Sequence, residues 1–147
     1  PMFDVLRFAS RPYMFTASPS PASIASVHAA LDCMRKDPSL RTRIWENARH
    51  LFHGLKDAGF EVISELSPIV AVRMPDEATA VAFWNRLLEN GIYVNLAVPP
   101  GTPKGVCLMR CSVSSAHEAR QIDEAIGAFV RTRSEVFSDE EMAATAS

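Results

Sequence analysis

The sequence predicts an α+β fold: a small antiparallel or mixed sheet in the order ββαββα, helices on one of its faces, and two long helices ahead of it. Three observations carry this. Apolar residues recur at helical spacing in several long stretches, short β-rich segments alternate with the later ones, and Pro, Gly, Asn and Asp punctuate the boundaries. With 147 residues, 48% of them hydrophobic, the chain is long and apolar enough to bury a core.

The elements follow in order. Residues 3–8 are helix-like, and the stretch Arg11-Pro12-Tyr13-Met14-Phe15-Thr16-Ala17-Ser18-Pro19-Ser20-Pro21 reads as a proline- and hydroxyl-rich connector. Ser20 before Pro21 is an N-cap and first-position pair, and Ile24, Val27, Leu31 and Met34 predict a helix over 21–35. Asp37-Pro38 repeats the start signal. Leu40, Ile44, Leu51, Phe52 and Leu55 form one stripe that stops at Ala58-Gly59. Residues 60–63 and 69–74 read as paired strands, and Asp76 as the cap of a helix carrying Val81, Trp84, Leu87 and Leu88 that ends at Asn90-Gly91. A strand over 92–98, a Pro/Gly loop over 99–105 and a strand over 106–113 follow. Ser115 with Glu118 then reads as a capping box for a helix carrying Ile122, Ile126, Phe129 and Val130. This order divides the chain into linker and helices (1–58), a small α+β domain (59–134) and a tail (135–147).

The net charge of -2, from 15 Lys plus Arg and 17 Asp plus Glu spread along the chain, gives no basic face for nucleic acid. No apolar run approaches the ~20 residues of a membrane helix and no signal-peptide pattern is present, so a cytoplasmic protein is expected. If it handles lipid precursors, its membrane contact is peripheral. Cys33, Cys107 and Cys111 lack metal-site spacing, and the last two fall on one side of a strand as core filling. His50 and His53 lie three apart on a helix without a third ligand nearby, so a solvated face explains them and no metal is expected. His28 and His117 need no more than local hydrogen bonds. Trp45 and Trp84 lie on amphipathic helices and read as core.

Arg110 is the strongest signal for chemistry, since its apolar neighbours from Val106 to Cys111 predict a buried guanidinium that requires an anion. Its fork suits a carboxylate, either of a substrate or of an internal acid. Pro99, Pro100, Gly101, Thr102 and Pro103 form a loop that ends shortly before Arg110, read either as a lid or as a stiff hairpin connection. Thr16 and Ser18 precede a helix, where hydroxyls and backbone N–H groups hold a phosphate or serve as ordinary caps.

The segment Asp4-Val5-Leu6-Arg7-Phe8-Ala9-Ser10-Arg11-Pro12-Tyr13-Met14-Phe15-Thr16-Ala17-Ser18 resembles the start of the C-terminal third of the α-oxoamine synthases, nearest their bacterial serine palmitoyltransferase branch. Trp45-Glu46-Asn47, Gly91-Ile92-Tyr93-Val94-Asn95, Pro99-Pro100-Gly101-Thr102-Pro103 and Leu108-Met109-Arg110-Cys111-Ser112 leading to His117 match in register. The resemblance runs from about residue 3 to residue 130. It implies the small C-terminal domain of a homodimeric fold-type I enzyme that uses pyridoxal phosphate to join an amino acid to acyl-CoA, with loss of carbon dioxide. It further implies that Thr16 reaches the cofactor phosphate of the neighbouring subunit, that Arg110 serves the amino-acid carboxylate, and that the loop of residues 99–103 closes over substrate. Val98 stands where close relatives carry an arginine able to swing onto that carboxylate, and Ala17 where several carry another hydroxyl. The catalytic lysine, the acid on the pyridine nitrogen and the ring-stacking histidine belong to segments upstream of Pro1. The chain is therefore expected to be a fragment, inactive without the missing large domain. The alternative reading is a non-catalytic small-ligand-binding α+β module in which Arg110 holds the carboxylate of a free amino acid or metabolite.

Overall fold

The computed structural model describes residues 2–16, 19–102 and 105–137, in two compact units, Pro1–Pro38 and Ser39–Ser147. The first holds α1 (Met2–Ala9), α2 (Arg11–Met14) and α3 (Pro21–Lys36). The connector expected to be non-helical thus contains a single turn, because Pro12 occupies a first-turn position where its missing N–H costs nothing. Ser20 caps α3 as its sequence predicts, its Oγ accepting from the Ser23 N–H at 3.1 Å. No residue of α3 is buried, and Ile24, Val27, Leu31 and Met34 are all exposed.

The second unit runs α4 (Ser39–Asp57), β1 (Ile69–Met74), α5 (Glu77–Glu89), β2 (Asn95–Ala97), β3 (Cys107–Ser112) and α6 (Ala119–Val136). The three strands form an antiparallel sheet in the order β1-β3-β2. The α4 stripe buries Ala48, Leu51, Phe52 and Leu55, and full burial of such an apolar side chain stabilises by about 1.5–3 kcal/mol. That burial ties α4 to α6 and β1. The compact unit accordingly begins at Ser39, ahead of the expected boundary near residue 59.

Alternation along the strands sends Val70, Val72, Met74, Cys107, Met109 and Cys111 inward, where they meet Phe60, Phe83 and Phe129. These three rings pack edge-on or tilted, with centroids 5.4 to 6.3 Å apart. Burial pushes the Cys111 thiol up to about 12, and burial followed by the charges of Glu77 and Asp76 raises that of Cys107. Both cysteines fill core as expected, and neither is a thiolate near neutral pH.

Three expectations are corrected. Residues 60–63 do pair with β1, through the Val62–Val72 bridge and the hydrogen bonds Ile63 N–H to the Ala71 carbonyl and Arg73 N–H to the Glu61 carbonyl, but over too short a span to make a strand, and the Phe60 N–H is already committed to the Leu55 carbonyl at the end of α4. The strand expected over 92–98 shrinks to Asn95–Ala97: the Ile92 N–H closes the end of α5 on the Leu87 carbonyl, and the Val94 carbonyl accepts from Trp84 Nε1 at 2.8 Å. The capping box at α6 joins Glu118 and Gln121, one turn later than Ser115 and Glu118, and His117 lies ahead of the helix.

Candidate functional site: an open sheet face around Arg110

Because successive side chains of a strand point to opposite faces, β3 sends Leu108, Arg110 and Ser112 away from the helices. Arg110 is exposed, which corrects the expectation of a buried guanidinium. The apolar residues beside it in sequence lie on the other side of the sheet and do not surround it. It stands on the central strand, with Ala71 of β1 and Asn95 of β2 as its cross-strand partners. Among the described residues nothing makes an ion pair or hydrogen bond with its guanidinium, whereas Arg73 on the same face pairs with Glu61 Oε1 at 2.7 Å. The internal salt bridge that was the plain alternative for Arg110 is absent among those residues. An exposed, unneutralised guanidinium on an open face is able to take a carboxylate in a two-point fork.

Asn95 is exposed beside Arg110, and its Oδ1 accepts from the Tyr93 hydroxyl at 3.2 Å. The following loop turns at once, with the Gly101 N–H donating to the Val98 carbonyl at 2.9 Å. Thr102 Oγ1 donates to the Val106 carbonyl, which ties the loop to the strand it feeds. Pro103 and Lys104 lie outside the described residues. Val98 packs against the core.

Past β3, Asn47 of α4 is buried and its Nδ2 donates to the carbonyls of Ser114 at 2.9 Å and His117 at 2.8 Å. His117 Nδ1 in turn accepts from the Ser114 N–H at 3.1 Å. This knot fixes the exit of the strand that carries Arg110. Sequence reasoning did not single out its role, although Asn47 stands four residues before Leu51, on the buried stripe, where a polar residue requires partners. Beside it opens a cleft of about 510 Å³ lined by Tyr93, Val94, Ser112, His117 and Gln121 among others, where β2 stops short of pairing with the end of β3. This cleft was not anticipated either.

Thr16, in the first unit, is exposed, and its hydroxyl donates to the Pro12 carbonyl at 2.6 Å. A phosphate needs that proton redirected, which rotation of an exposed hydroxyl permits. Ala17 and Ser18 lie outside the described residues. The chain has three lysines: Lys36 ends α3, Lys56 lies over the Phe52 ring at 4.6 Å and Lys104 is not described. Thr16 therefore fits as one phosphate contact, but the described residues do not build a full cradle for a cofactor. His50 Nε2 meets Asp123 Oδ1 at 2.7 Å, and no group of three or more metal-ligating side chains exists among the described residues. No helix among them is long and apolar enough to cross a membrane.

Comparison with known proteins gives the class. The family model of aminotransferases of class I and II matches residues 1–129. Similar proteins include a serine palmitoyltransferase of Caulobacter vibrioides (strain NA1000 / CB15N), 52% identical over 121 residues, which are 82% of this chain and 30% of that one. Another is from Sphingomonas paucimobilis, 42% identical over 131 residues, 88% of this chain and 31% of that protein. An 8-amino-7-oxononanoate synthase of Alkaliphilus oremlandii (strain OhILAs) is 33% identical, covering 92% of this chain and 34% of its own length. Among solved structures, the S. paucimobilis serine palmitoyltransferase with bound PLP and myriocin superposes with a TM-score of 0.86 at 40% identity, over 92% of this chain and 35% of that one. This chain belongs to the aminotransferase class I and II family, in its α-oxoamine synthase branch. It spans about a third of the length of the relatives it matches.

Proposed function

We propose that this chain is the C-terminal part of a pyridoxal-phosphate-dependent acyl-CoA:amino-acid C-acyltransferase that uses serine and a palmitoyl thioester, the first step of sphingolipid synthesis. In the overall reaction the acyl carbon bonds to the serine Cα. The bond from Cα to the carboxylate breaks to release carbon dioxide, and the C–S bond breaks to release coenzyme A, leaving 3-ketodihydrosphingosine. The cofactor, when bound, withdraws electrons from Cα. The residues of this chain bind and orient. Arg110 holds the amino-acid carboxylate, Thr16 contributes one hydroxyl to the cofactor phosphate of a neighbouring subunit, and the loop of Pro99, Pro100, Gly101, Thr102 and Pro103 covers the bound substrate. The working enzyme is a cytoplasmic homodimer that includes a large cofactor domain.

The observation that carries this reading is the likeness to serine palmitoyltransferases, 52% and 42% identical over 82% and 88% of this chain, since the exposure of Arg110 removes the argument that its burial requires an anion and leaves it only an available guanidinium on an open sheet face. A polypeptide joining this chain to the upstream two-thirds of the S. paucimobilis relative tests it. With pyridoxal phosphate it develops visible absorbance and releases coenzyme A from palmitoyl-CoA in the presence of serine; this chain alone stays colourless. A folded but colourless fusion overturns the reading. Faster turnover with glycine or alanine than with serine moves it to another α-oxoamine synthase, the direction in which Val98 points.

A further inference from the structure

We infer that Asn95, held in orientation by Tyr93, is the second donor of the carboxylate site whose first donor is Arg110; this rests on the condensing-enzyme reading. Asn95 and Arg110 are direct cross-strand partners on the open face of the sheet, which sets their Cβ atoms about 4.5–5.5 Å apart. The Tyr93 hydroxyl donates to Asn95 Oδ1, so the carbonyl end of the amide is occupied and its NH₂ end remains to donate. A carboxylate offers more lone pairs than one guanidinium fork uses, and a neutral amide beside the fork takes one of the remainder. Room for the ligand comes from small neighbours: Ala71 is the other cross-strand partner of Arg110, and Ala97 lies next along β2 on the same face as Asn95. None of the residues that the three strands turn to this face is acidic, and the carboxylate that reaches it, that of Glu61, is already paired with Arg73. Val98, by contrast, is an apolar side chain packed against the core and supplies no donor.

The fusion enzyme described above, with serine varied at saturating palmitoyl-CoA, tests this. Asn95→Ala raises the serine KM about tenfold and leaves kcat within about threefold, the pattern of lost ground-state binding, while the KM for palmitoyl-CoA stays put. Asn95→Asp raises it further, to roughly a hundredfold, because a carboxylate opposite Arg110 neutralises the fork and repels the substrate. Tyr93→Phe raises it a few-fold by freeing the amide to rotate. A serine KM within twofold of the parent in Asn95→Ala, or equal changes in both KM values and kcat, overturns the role. Absence of colour in the unsubstituted fusion strikes the condensing-enzyme reading instead. The Asn95 role is then read in this chain alone by side-chain NMR during titration with L-serine and with acetate. The Asn95 amide and Arg110 Nε–H signals follow one saturation curve if the pair is a site; independent or absent shifts overturn it.

Discussion

Thr132 is wholly buried in α6, and its hydroxyl has no hydrogen-bond partner among the described residues. An orphaned buried hydroxyl forfeits its hydration without compensation, so Thr132→Val, which replaces that oxygen by a methyl group, is expected to stabilise the fold by about 1 kcal/mol. Urea unfolding followed by circular dichroism checks this, and an equal or larger loss of stability means that the hydroxyl has a partner. Asn47 shows the opposite solution, for its buried amide spends both N–H bonds on carbonyls of the β3–α6 connection. The two residues look alike in sequence, each a polar side chain on an amphipathic helix, and only contacts separate them. Arg110 gives the same lesson in reverse. Its setting reads as burial in one dimension, yet the pleat places the charge on the far face of the sheet from its apolar neighbours.

At the scale of elements, α4 and α6 approach closely at Gly54, where an added Cβ would lie 2.3 Å from Ile126 Cδ1 and 3.2 Å from its Cγ1. Alanine at an inner helical position is favoured over glycine by roughly 0.5–1 kcal/mol, but here that gain meets the Ile126 tip. Gly54→Ala alone is therefore expected to be neutral or destabilising. In an Ile126→Val background, which removes the δ-methyl, the same change is expected to stabilise by about 0.5–1 kcal/mol; a double-mutant cycle in urea checks this, and simple additivity contradicts the packing argument. The elements themselves were largely legible. β1 and the starts of α3 and α5 fall where Pro, Ser and Asp signals put them, since caps and first-turn prolines act within a few residues of chain. Strand lengths were not. Residues 60–63 and 92–94 have strand-like composition, but the Phe60 and Ile92 N–H groups close helix ends and the Val94 carbonyl satisfies the Trp84 indole, partners that only packing brings near, which leaves residues 61–63 a single bridge to β1.

Over the whole molecule, the two units differ in what they bury. The described residues of the second unit share an extensive core, whereas no buried residue occurs in α2 or α3 and Phe3, Phe8, Phe15, Val27 and Met34 are each more than half exposed. Segments with few buried contacts open at low cost, so brief trypsin digestion is expected to cut at Arg7, Arg35 or Lys36 well before Arg49, Lys56 or Arg86. Mass spectrometry of the early products checks it; cleavage in both groups at similar rates contradicts the division. The sequence by itself determined the α+β class, the caps of α3 and α5, the cysteine-filled core strand and the family, because local backbone preference, side-chain periodicity and motif order are all written along one dimension. Tertiary structure alone decided that α4 belongs with the sheet, that Asn47 anchors the strand exit, and that Arg110 shares an open face with Asn95. Those facts depend on which faces of distant elements meet, and burial energy over the whole core, rather than any local signal, selects that arrangement.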